Sequence, residues 1–373
     1  MLDGRGADLK RRPTEIATME HLHRLQAVAA APPTPETFSA SGESPLFVAR
    51  KHCPVCDGDR LTTLYESTYD SPPIRGHVES HYRSQGQVDH ALLRGVDFTI
   101  LECRDCALIF QKMVPTPEMM HHLYDRFIDP EKLKAYEQSR LTLDNHHDVA
   151  ARLGRLLLRI GKEPKDTTLL DFGFGYGRWA RVAVGMGMKV FATEISPEKI
   201  AFARSIGVTI LDEAELERRR FDIVHTEQVF EHLTDPAAVF AMLARCIAPG
   251  GVLKLAMPRQ GRIRQLIARH GFIDWSPYER DFRCGAFNDY NAMLPLEHLN
   301  AFCRRSVELL ADRHGLVVET GSYGGSAVLL DAADRGRLLA SARHSARRLL
   351  KDIYVRLGPG RADTGSYVLA RKP

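Results

Sequence analysis

The chain has 373 residues, of which 44% are hydrophobic and 26% are charged, ordinary proportions for a globular protein. A formal net charge of +4 and a pI of about 8.6 are too mild to indicate nucleic-acid binding. No apolar run approaches the roughly 18–20 residues that a membrane span requires, and the N-terminal stretch lacks the apolar core of a signal peptide. We therefore expect a cytoplasmic protein.

Residues 1–45 are predicted to form a flexible N-terminal arm. The run AAAPPTP at residues 29–35 and the absence of a sustained period of 2 or 3.6 predict no packed core. The arm is either a tail or a segment that folds onto the rest of the chain, and the sequence leaves both alternatives open.

Residues 46–115 contain two C-x-x-C pairs, Cys53-Pro-Val-Cys56 and Cys103-Arg-Asp-Cys106. Four thiolates in two such pairs suit tetrahedral structural zinc and leave no position for catalysis. Two disulfides or a vestigial site are the alternatives, since Ala107 replaces the glycine expected after the second pair. Between the pairs, the long polar stretch is predicted to be irregular or poor in strands, with one strand at 97–102.

From residue 116 onward, the pattern predicts one α/β domain. Helical periodicity begins near Pro117 and returns over His147–Ile160. Strand and helix patterns then alternate with short connections, which predicts βαβ units and a mostly parallel sheet flanked by helices. Two further strands are predicted at 316–321 and 366–371. The amphipathic helix predicted between them, 335–356, is rich in arginine and is either solvated or in contact with an anionic ligand or membrane surface.

The most informative motif is LLDFGFGYGRW, Leu169–Trp179. A buried strand ends at an acid, Asp171, and three glycines follow at alternate positions. Glycine lets a ligand approach bare backbone because it has no Cβ and tolerates positive φ. A dinucleotide site has the pattern G-x-G-x-x-G, whose third glycine would stand where this chain has Arg178. The G-x-G-x-G spacing resembles the first motif of class I S-adenosylmethionine-dependent methyltransferases.

A second segment, Phe221–Pro258, resembles the later motifs of that family. It contains an acid entering a strand, the sequence Glu-His-Leu, an Asp-Pro helix start and a Pro-Gly-Gly turn before the next strand. The similarity covers about residues 145–325. It implies a Rossmann-like fold with a seven-stranded sheet over 116–373, and methyl transfer from S-adenosylmethionine.

The cofactor contacts are predicted at the carboxyl ends of the strands. The turn places Gly173, Phe174, Gly175 and Gly177 against the methionine end, and Asp171 orients the turn or binds the ammonium group. Glu194, followed by Ile195, ends the second strand and is placed to bind the ribose hydroxyls. Asp212 is the predicted partner of the adenine amine. By the resemblance, Glu227 and Gln228 at the tip of the fourth strand face cofactor and substrate.

The predicted catalytic residues are His232, Glu297 and His298. A general base is needed only when the acceptor is protonated, and His232 is the first candidate, with a bracing role as its alternative. The aromatic-rich stretch 258–298 is predicted to be a substrate lid. Its aromatic residues are Trp275, Tyr278, Phe282, Phe287 and Tyr290. Glu297 and His298 end this stretch and are expected to face the acceptor pocket.

The cysteine segment followed by this core resembles a bacterial subgroup, some members of which methylate sugar nucleotides or natural-product intermediates. We therefore expect a small-molecule acceptor with an O, N or C nucleophile. Two alternatives are a non-catalytic partner protein that binds S-adenosylmethionine, and an enzyme that methylates protein or nucleic acid. Scattered basic residues and the sequence TEQV after the fourth strand argue against nucleic acid. A homodimer is left open.

Overall fold

A computed structural model describes residues 46–83, 86–258, 260–273, 290–319, 330–357 and 365–371. The predicted arm, 1–45, lies outside the described residues, as do four of the five aromatic residues of the predicted lid. Within the described ranges, no helix is both long and apolar enough to cross a bilayer.

The N-terminal part forms a small antiparallel sheet. Its strands are β2 (Leu61–Thr68), β3 (Asp97–Cys103) and β4 (Ile109–Gln111), while β1 (Phe47–Ala49) pairs separately with β5 (Met113–Pro115). Helix α1 (Pro72–Tyr82) packs on this sheet. The prediction of an irregular stretch between the cysteine pairs is therefore wrong. The Thr- and Tyr-rich β2 suits a pleated strand, and two prolines start α1 at positions where no backbone donor is needed.

Three helices connect this part to the larger domain. These are α2 (Pro117–His122), which continues into a π turn, α3 (Pro130–Ser139) and α4 (Leu143–Ile160). Helix α4 begins four residues before the predicted start because the Thr142 hydroxyl accepts a hydrogen bond from the Asn145 backbone. It ends at Gly161, whose φ of 67° suits a left-handed cap.

A seven-stranded sheet forms the centre of the larger domain. The five parallel strands are β6 (Thr168–Phe172), β7 (Lys189–Thr193), β8 (Thr209–Ile210), β9 (Phe221–Glu227) and β10 (Ile247–Ala256). They lie in the order β8-β7-β6-β9-β10. The sheet continues antiparallel through β13 (Ser366–Arg371) to β12 (Leu316–Val318). This arrangement confirms the predicted Rossmann-like fold. The order in which the parallel strands are added reverses between β6 and β9, and such sheets bind ligands at this point.

Helices cover both faces of this sheet. They are α5 (Arg178–Gly185), α6 (Pro197–Ser205), α7 (Glu213–Glu217), α8 (Pro236–Arg245) and α10 (Arg304–Arg313). Successive strand residues point to opposite faces, so Leu169 packs on the α4 and α5 side and Leu170 on the α8 side. Helix α11 (Arg335–Leu357) lies where a helix is predicted over 335–356, and several of its leucines are exposed, among them Leu339 and Leu350.

The two parts share structure. Strand β11 (Asn300–Ala301) follows the predicted lid in sequence, yet it pairs with β4 of the N-terminal sheet. Helix α9 (Ile263–His270) packs on the same side, and the Gln260 amide donates to the carbonyl of Ala107. The sheet thus crosses the predicted domain boundary after residue 115, and that boundary stays a prediction.

Candidate active site

The glycine turn after β6 has the backbone geometry expected of a ligand cradle. Gly173, Gly175 and Gly177 have φ values of 83°, 57° and 69°. A Cβ at Gly173 would lie 2.7 Å from Cγ2 of Val229, and one at Gly177 would lie 2.6 Å from the Phe174 ring. The turn therefore requires glycine for conformation and for space, and it presents bare backbone at the reversal point of the sheet.

A cavity of about 230 Å³ opens beside this turn. Six of the predicted cofactor residues line it: Asp171, Gly173, Phe174, Gly175, Glu227 and Gln228. The sequence analysis missed eight further lining residues: Leu133, Glu137, Arg140, Tyr176, Arg178, Trp179, Lys199 and His225. Three of these come from α3 and the residue after it, because the helices before the domain fold over the turn; nothing in the local sequence signals this.

Glu194, at the tip of β7, holds the turn directly. Its carboxylate accepts hydrogen bonds from the backbone N–H groups of Gly175 at 3.0 Å, Ile195 at 2.8 Å and Ser196 at 3.0 Å. Glu194, Ile195 and Gly177 are not among the residues lining the cavity. The structure thus places Glu194 beside the glycine turn, and its contact with a ribose stays a prediction.

Asp212 has a structural partner in the chain itself. Its carboxylate accepts from the backbone N–H of Glu215 at 2.8 Å, and the Glu215 carboxylate accepts from the Asp212 backbone at 3.2 Å. This reciprocal pair is a capping box at the start of α7. Asp212 does not line the described cavity, so its predicted adenine contact remains untested.

A largely buried charge network lies in the wall of the cavity and comprises Asp171, Arg178, His225, Glu227 and Lys254. The His225 Nδ1–H donates to Asp171 at 2.7 Å, and Lys254 donates to Nε2 of His225 at 3.3 Å and to Glu227 at 2.6 Å. Arg178 donates to the other oxygen of Glu227. The Lys254 ammonium also lies 4.2 Å from the centre of the Trp179 ring.

The network controls the charge of its members. Burial opposes ionisation of Glu227, but the positive Lys254 and Arg178 side chains hold the pKa of this carboxyl well below its usual value. Burial lowers the pKa of Lys254, with Glu227 acting against this effect. Sequence reasoning missed His225 and Lys254, although a charged or polar residue inside an apolar strand pattern is a visible signal.

A second buried set, which we call the Glu-His-His cluster, consists of Glu231, His232 and His298. Glu231 and His232 lie in a 3-10 turn after β9, and His298 precedes β11. The two imidazole rings have centroids 4.8 Å apart at an angle of 84°. Glu231 is 0% exposed, and its two carboxylate oxygens have no hydrogen-bond partner among the described residues. Burial raises the pKa of Glu231 to about 8.

The predicted residues His232, Glu297 and His298 come together around this cluster. The His298 Nδ1–H donates to the carbonyl oxygen of Asn291, and burial together with His232 lowers the pKa of His298 to about 3. Glu297 pairs with His81 of α1 at 2.9 Å. Burial opposes ionisation of Glu297, but the neighbouring His81 keeps the pKa of this carboxyl far below its usual value. Glu231 and His81 were missed; Glu231 lies in the Glu-His-Leu motif, whereas His81 carries no sequence signal.

The four cysteines of the two pairs converge. Cys53 and Cys106 have sulfurs 3.5 Å apart, Cys56 and Cys103 have sulfurs 3.4 Å apart, and all four are free thiols. The pairing expected of two disulfides is therefore absent from these four residues. Hydrogen bonding from Cys106 lowers the pKa of Cys53 to about 6, whereas burial raises that of Cys56 to about 12.

The two cysteine loops have matching backbones. Asp57 and Ala107, the residues that follow each pair, both have a φ of 59°. In each loop, the residue with positive φ donates its backbone N–H to the carbonyl of the first cysteine at 2.9 Å. Ala107 therefore adopts the conformation for which a glycine was expected. The alanine at this position does not disrupt the loop.

Comparisons with known proteins agree with this fold. The family described as "Methyltransferase domain" matches residues 145–320. The chain is 27% identical over 183 residues to a malonyl-[acyl-carrier protein] O-methyltransferase of Serratia marcescens, which covers 46% of this chain and 65% of that protein. It is 30% identical over 99 residues to a ubiquinone biosynthesis O-methyltransferase of Xanthomonas oryzae pv. oryzae, covering 24% and 41% respectively. The chain thus spans less than two thirds of these relatives.

Among solved structures, the plantazolicin methyltransferase BpumL in complex with SAH has a TM-score of 0.41 and 14% identity, covering 68% of this chain and 93% of that one. An S-adenosylmethionine-dependent methyltransferase from Mesorhizobium loti has a TM-score of 0.33 and 18% identity, covering 60% and 98%. The strand order identifies a Rossmann-like fold, and the methyltransferase family model matches the part of the chain that contains the five parallel strands.

Proposed function

We propose that this chain is an S-adenosylmethionine-dependent methyltransferase that acts on a small-molecule acceptor. The observation that carries the proposal is the cavity at the reversal point of the sheet, bounded by the glycine turn. That turn lies inside the region that matches the methyltransferase family. The turn fits a cofactor, because Gly173, Phe174 and Gly175 line the cavity and the two glycines present backbone there without a side chain.

The residues around the turn would hold the cofactor by its parts. The turn backbone, Asp171 and Glu227 would bind the methionine end, and Glu194 would accept the ribose hydroxyls. Asp212 is the proposed adenine partner, although its capping role accounts for its position without a ligand. When bound, S-adenosylmethionine supplies an electrophilic methyl group on a positively charged sulfur. The protein's task is then to hold the acceptor atom in line with that group.

The Glu-His-His cluster and Glu297 are the proposed acceptor-activating groups. Glu231 and His232 lie in the turn after β9, at the edge of the sheet where the cofactor is proposed to bind. Glu297 and His298 lie in the segment before β11. Buried imidazole and carboxylate groups can orient a polar acceptor and take up its proton. The pair between His81 and Glu297 extends this site to the N-terminal part, which supports a role for that part in acceptor binding.

The acceptor class is a further part of the proposal. The names of both curated relatives specify O-methyltransferases, and we extend an oxygen nucleophile to this chain on that basis. No nucleic acid is proposed as partner. A cytoplasmic location is consistent with four free thiols in two close pairs. Light scattering would decide whether the chain forms the homodimer that the sequence leaves open.

We also propose that the four cysteines hold a structural zinc ion. Their sulfurs lie within 4.8 Å of one another, and four thiolates satisfy zinc without an open position. Elemental analysis should find about one zinc per chain. Cys103→Ser should lose that zinc and destabilise the N-terminal sheet, because β3 ends at Cys103. A folded protein with four titratable thiols and no zinc would refute this part.

Isothermal titration tests the central proposal. S-adenosylmethionine and S-adenosylhomocysteine should bind, and NAD should not. Glu194→Ala should weaken binding at least tenfold, since hydrogen bonds to charged groups contribute about 1.5–3 kcal/mol. Glu198→Ala is the matched control, because this carboxylate lies exposed on α6 and pairs with Lys134. Binding of NAD without binding of S-adenosylmethionine would overturn the proposal.

A further inference from the structure

The geometry of the Glu-His-His cluster points to a ligand that this chain does not itself provide. A carboxylate oxygen of Glu231 and one ring nitrogen each of His232 and His298 all lie within 4.8 Å of one another. The distance from Nε2 of His232 to Oε1 of Glu231 is 3.9 Å. When a tetrahedral metal binds ligand atoms at about 2.1 Å, those atoms lie about 3.4 Å from one another. Side-chain rotations that move the ligand atoms by about 1 Å would therefore complete such a site.

The charge around Glu231 favours a cation. The side chain is fully buried, and neither oxygen has a hydrogen-bond partner among the described residues. Nε2 of His232 lies 3.9 Å from Oε1 of Glu231, and a second carboxylate, Glu227, repels the charge of Glu231. A buried carboxylate without a partner is costly, and a bound cation would remove that cost.

The histidines are arranged as metal ligands are. The Asn291 carbonyl can only accept a hydrogen bond, so Nδ1 of His298 carries the proton and its Nε2 keeps a free lone pair. Metal-binding histidines commonly donate their second nitrogen to a carbonyl, which fixes the tautomer and the ring orientation. His232 provides a second nitrogen ligand through Nε2, which lies 3.9 Å from Oε1 of Glu231.

We propose that Glu231, His232 and His298 bind a first-row divalent transition cation, in a site separate from the four cysteines. Two imidazoles and one carboxylate suit Fe²⁺, Co²⁺, Ni²⁺ or Zn²⁺ and leave coordination positions open. An oxygen of the acceptor would occupy an open position, and coordination would lower the pKa of that oxygen. The role of the cation in methyl transfer rests on the proposed function, and it narrows the acceptor to a molecule with an oxygen that can bind the metal. The binding of the cation to the three side chains does not depend on the proposed function.

Titration of the full chain with Co²⁺ tests the site. Protein whose cysteines are already filled with zinc should bind one further Co²⁺ per chain. The absorption spectrum of this additional Co²⁺ should lack the intense near-ultraviolet bands that thiolate ligands produce. Glu231→Gln and His298→Asn should each weaken Co²⁺ binding at least tenfold. His270→Ala is the matched control, because this histidine is exposed at the end of α9.

The outcomes separate this inference from the proposed function. Absence of the additional Co²⁺, thiolate bands in its spectrum, or unchanged binding by a folded Glu231→Gln variant would each overturn the cation site. Circular dichroism and urea unfolding verify that each variant is folded. Glu231→Gln and His298→Asn must both show the weakened Co²⁺ binding. Titration of the same samples with S-adenosylmethionine tests the proposed function alone.

Discussion

The charge network and the Glu-His-His cluster lie close together near the end of β9, and they differ in how their charges are paired. In the charge network, Glu227 bonds to both Lys254 and Arg178. Four residues later, Glu231 has no hydrogen-bond partner among the described residues. A paired buried charge keeps its geometry without a ligand, whereas an unpaired one gains most when a ligand arrives. We infer that the network shapes the cofactor site and that the cluster binds something from outside.

The two groups also arise differently. His225 stands beside Asp171 on β6 and beside Lys254 on β10 in the register of the sheet, so strand pairing alone assembles the network. The Glu-His-His cluster combines a 3-10 turn with a segment some 66 residues further along the chain. That segment bonds directly to the 3-10 turn, because the Leu299 N–H donates to the Glu231 carbonyl at 2.7 Å, and β11 beyond it pairs with β4. The cluster therefore joins two segments that are distant in sequence through a loop contact, whereas the network joins neighbouring strands.

The largest effect should come from breaking the network at Lys254. Lys254→Met leaves Glu227 buried with one cation fewer and should lower the free energy of unfolding by about 3–5 kcal/mol. Urea unfolding measures this. The double variant Lys254→Met/Glu227→Met should recover most of the loss, because no unpaired charge remains. Lys189→Met, at an exposed position that begins β7, should change stability by less than about 0.5 kcal/mol. Equal stability of Lys254→Met and the wild type would contradict a role for the pair.

The second effect depends on pH. The folded-state pKa of Glu227 lies below the ordinary value of 4.5, so its stabilisation is present above that pH and is lost as the pH falls further. Glu227→Gln should therefore cost about 3 kcal/mol at pH 7, and the gap to the wild type should narrow below about pH 4.5. Unfolding curves from pH 7 to pH 3 measure the gap. A constant difference over this range would show that charge is not responsible.

The contrast predicts a different outcome at Glu231. Without added cation, Glu231→Gln should be at least as stable as the wild type, because it removes a buried carboxylate that has no partner. With Co²⁺ at one hundred times its dissociation constant, the wild type should gain about 2.7 kcal/mol and the variant should not. Thermal unfolding with and without Co²⁺ measures both effects. A large loss of stability in Glu231→Gln without cation would place Glu231 in the same class as Glu227.

The smallest effect on stability should come from Asp212, an exposed carboxylate whose hydrogen bonds are satisfied within the chain. It serves as a reference for the stability effects at Glu227 and Glu231. Asp212→Ala removes the cap of α7 and should cost about 1 kcal/mol in urea unfolding. Asp212→Ser should retain the cap and most of the stability. If Asp212 also binds adenine, both variants should weaken S-adenosylmethionine binding in isothermal titration. Unchanged binding by both would limit Asp212 to its capping role.

The sequence by itself determined the features that depend on neighbouring residues. Alternating strand and helix patterns, the glycine turn at 173–177 and the two cysteine pairs are local, because backbone conformation and the spacing of apolar residues act over a few positions. These features were sufficient to predict the Rossmann-like fold and to place six residues on the cavity wall.

The tertiary structure alone decided which polar groups meet. The register of β6, β9 and β10 joins Lys254 to His225 and Glu227 and thereby forms the network. The packing of the segment before β11 on the 3-10 turn, where the Leu299 N–H donates to the Glu231 carbonyl, brings His298 to Glu231 and His232. No local pattern encodes such contacts, since they depend on how distant segments pack, and the same packing leaves one carboxylate paired and the other unpaired.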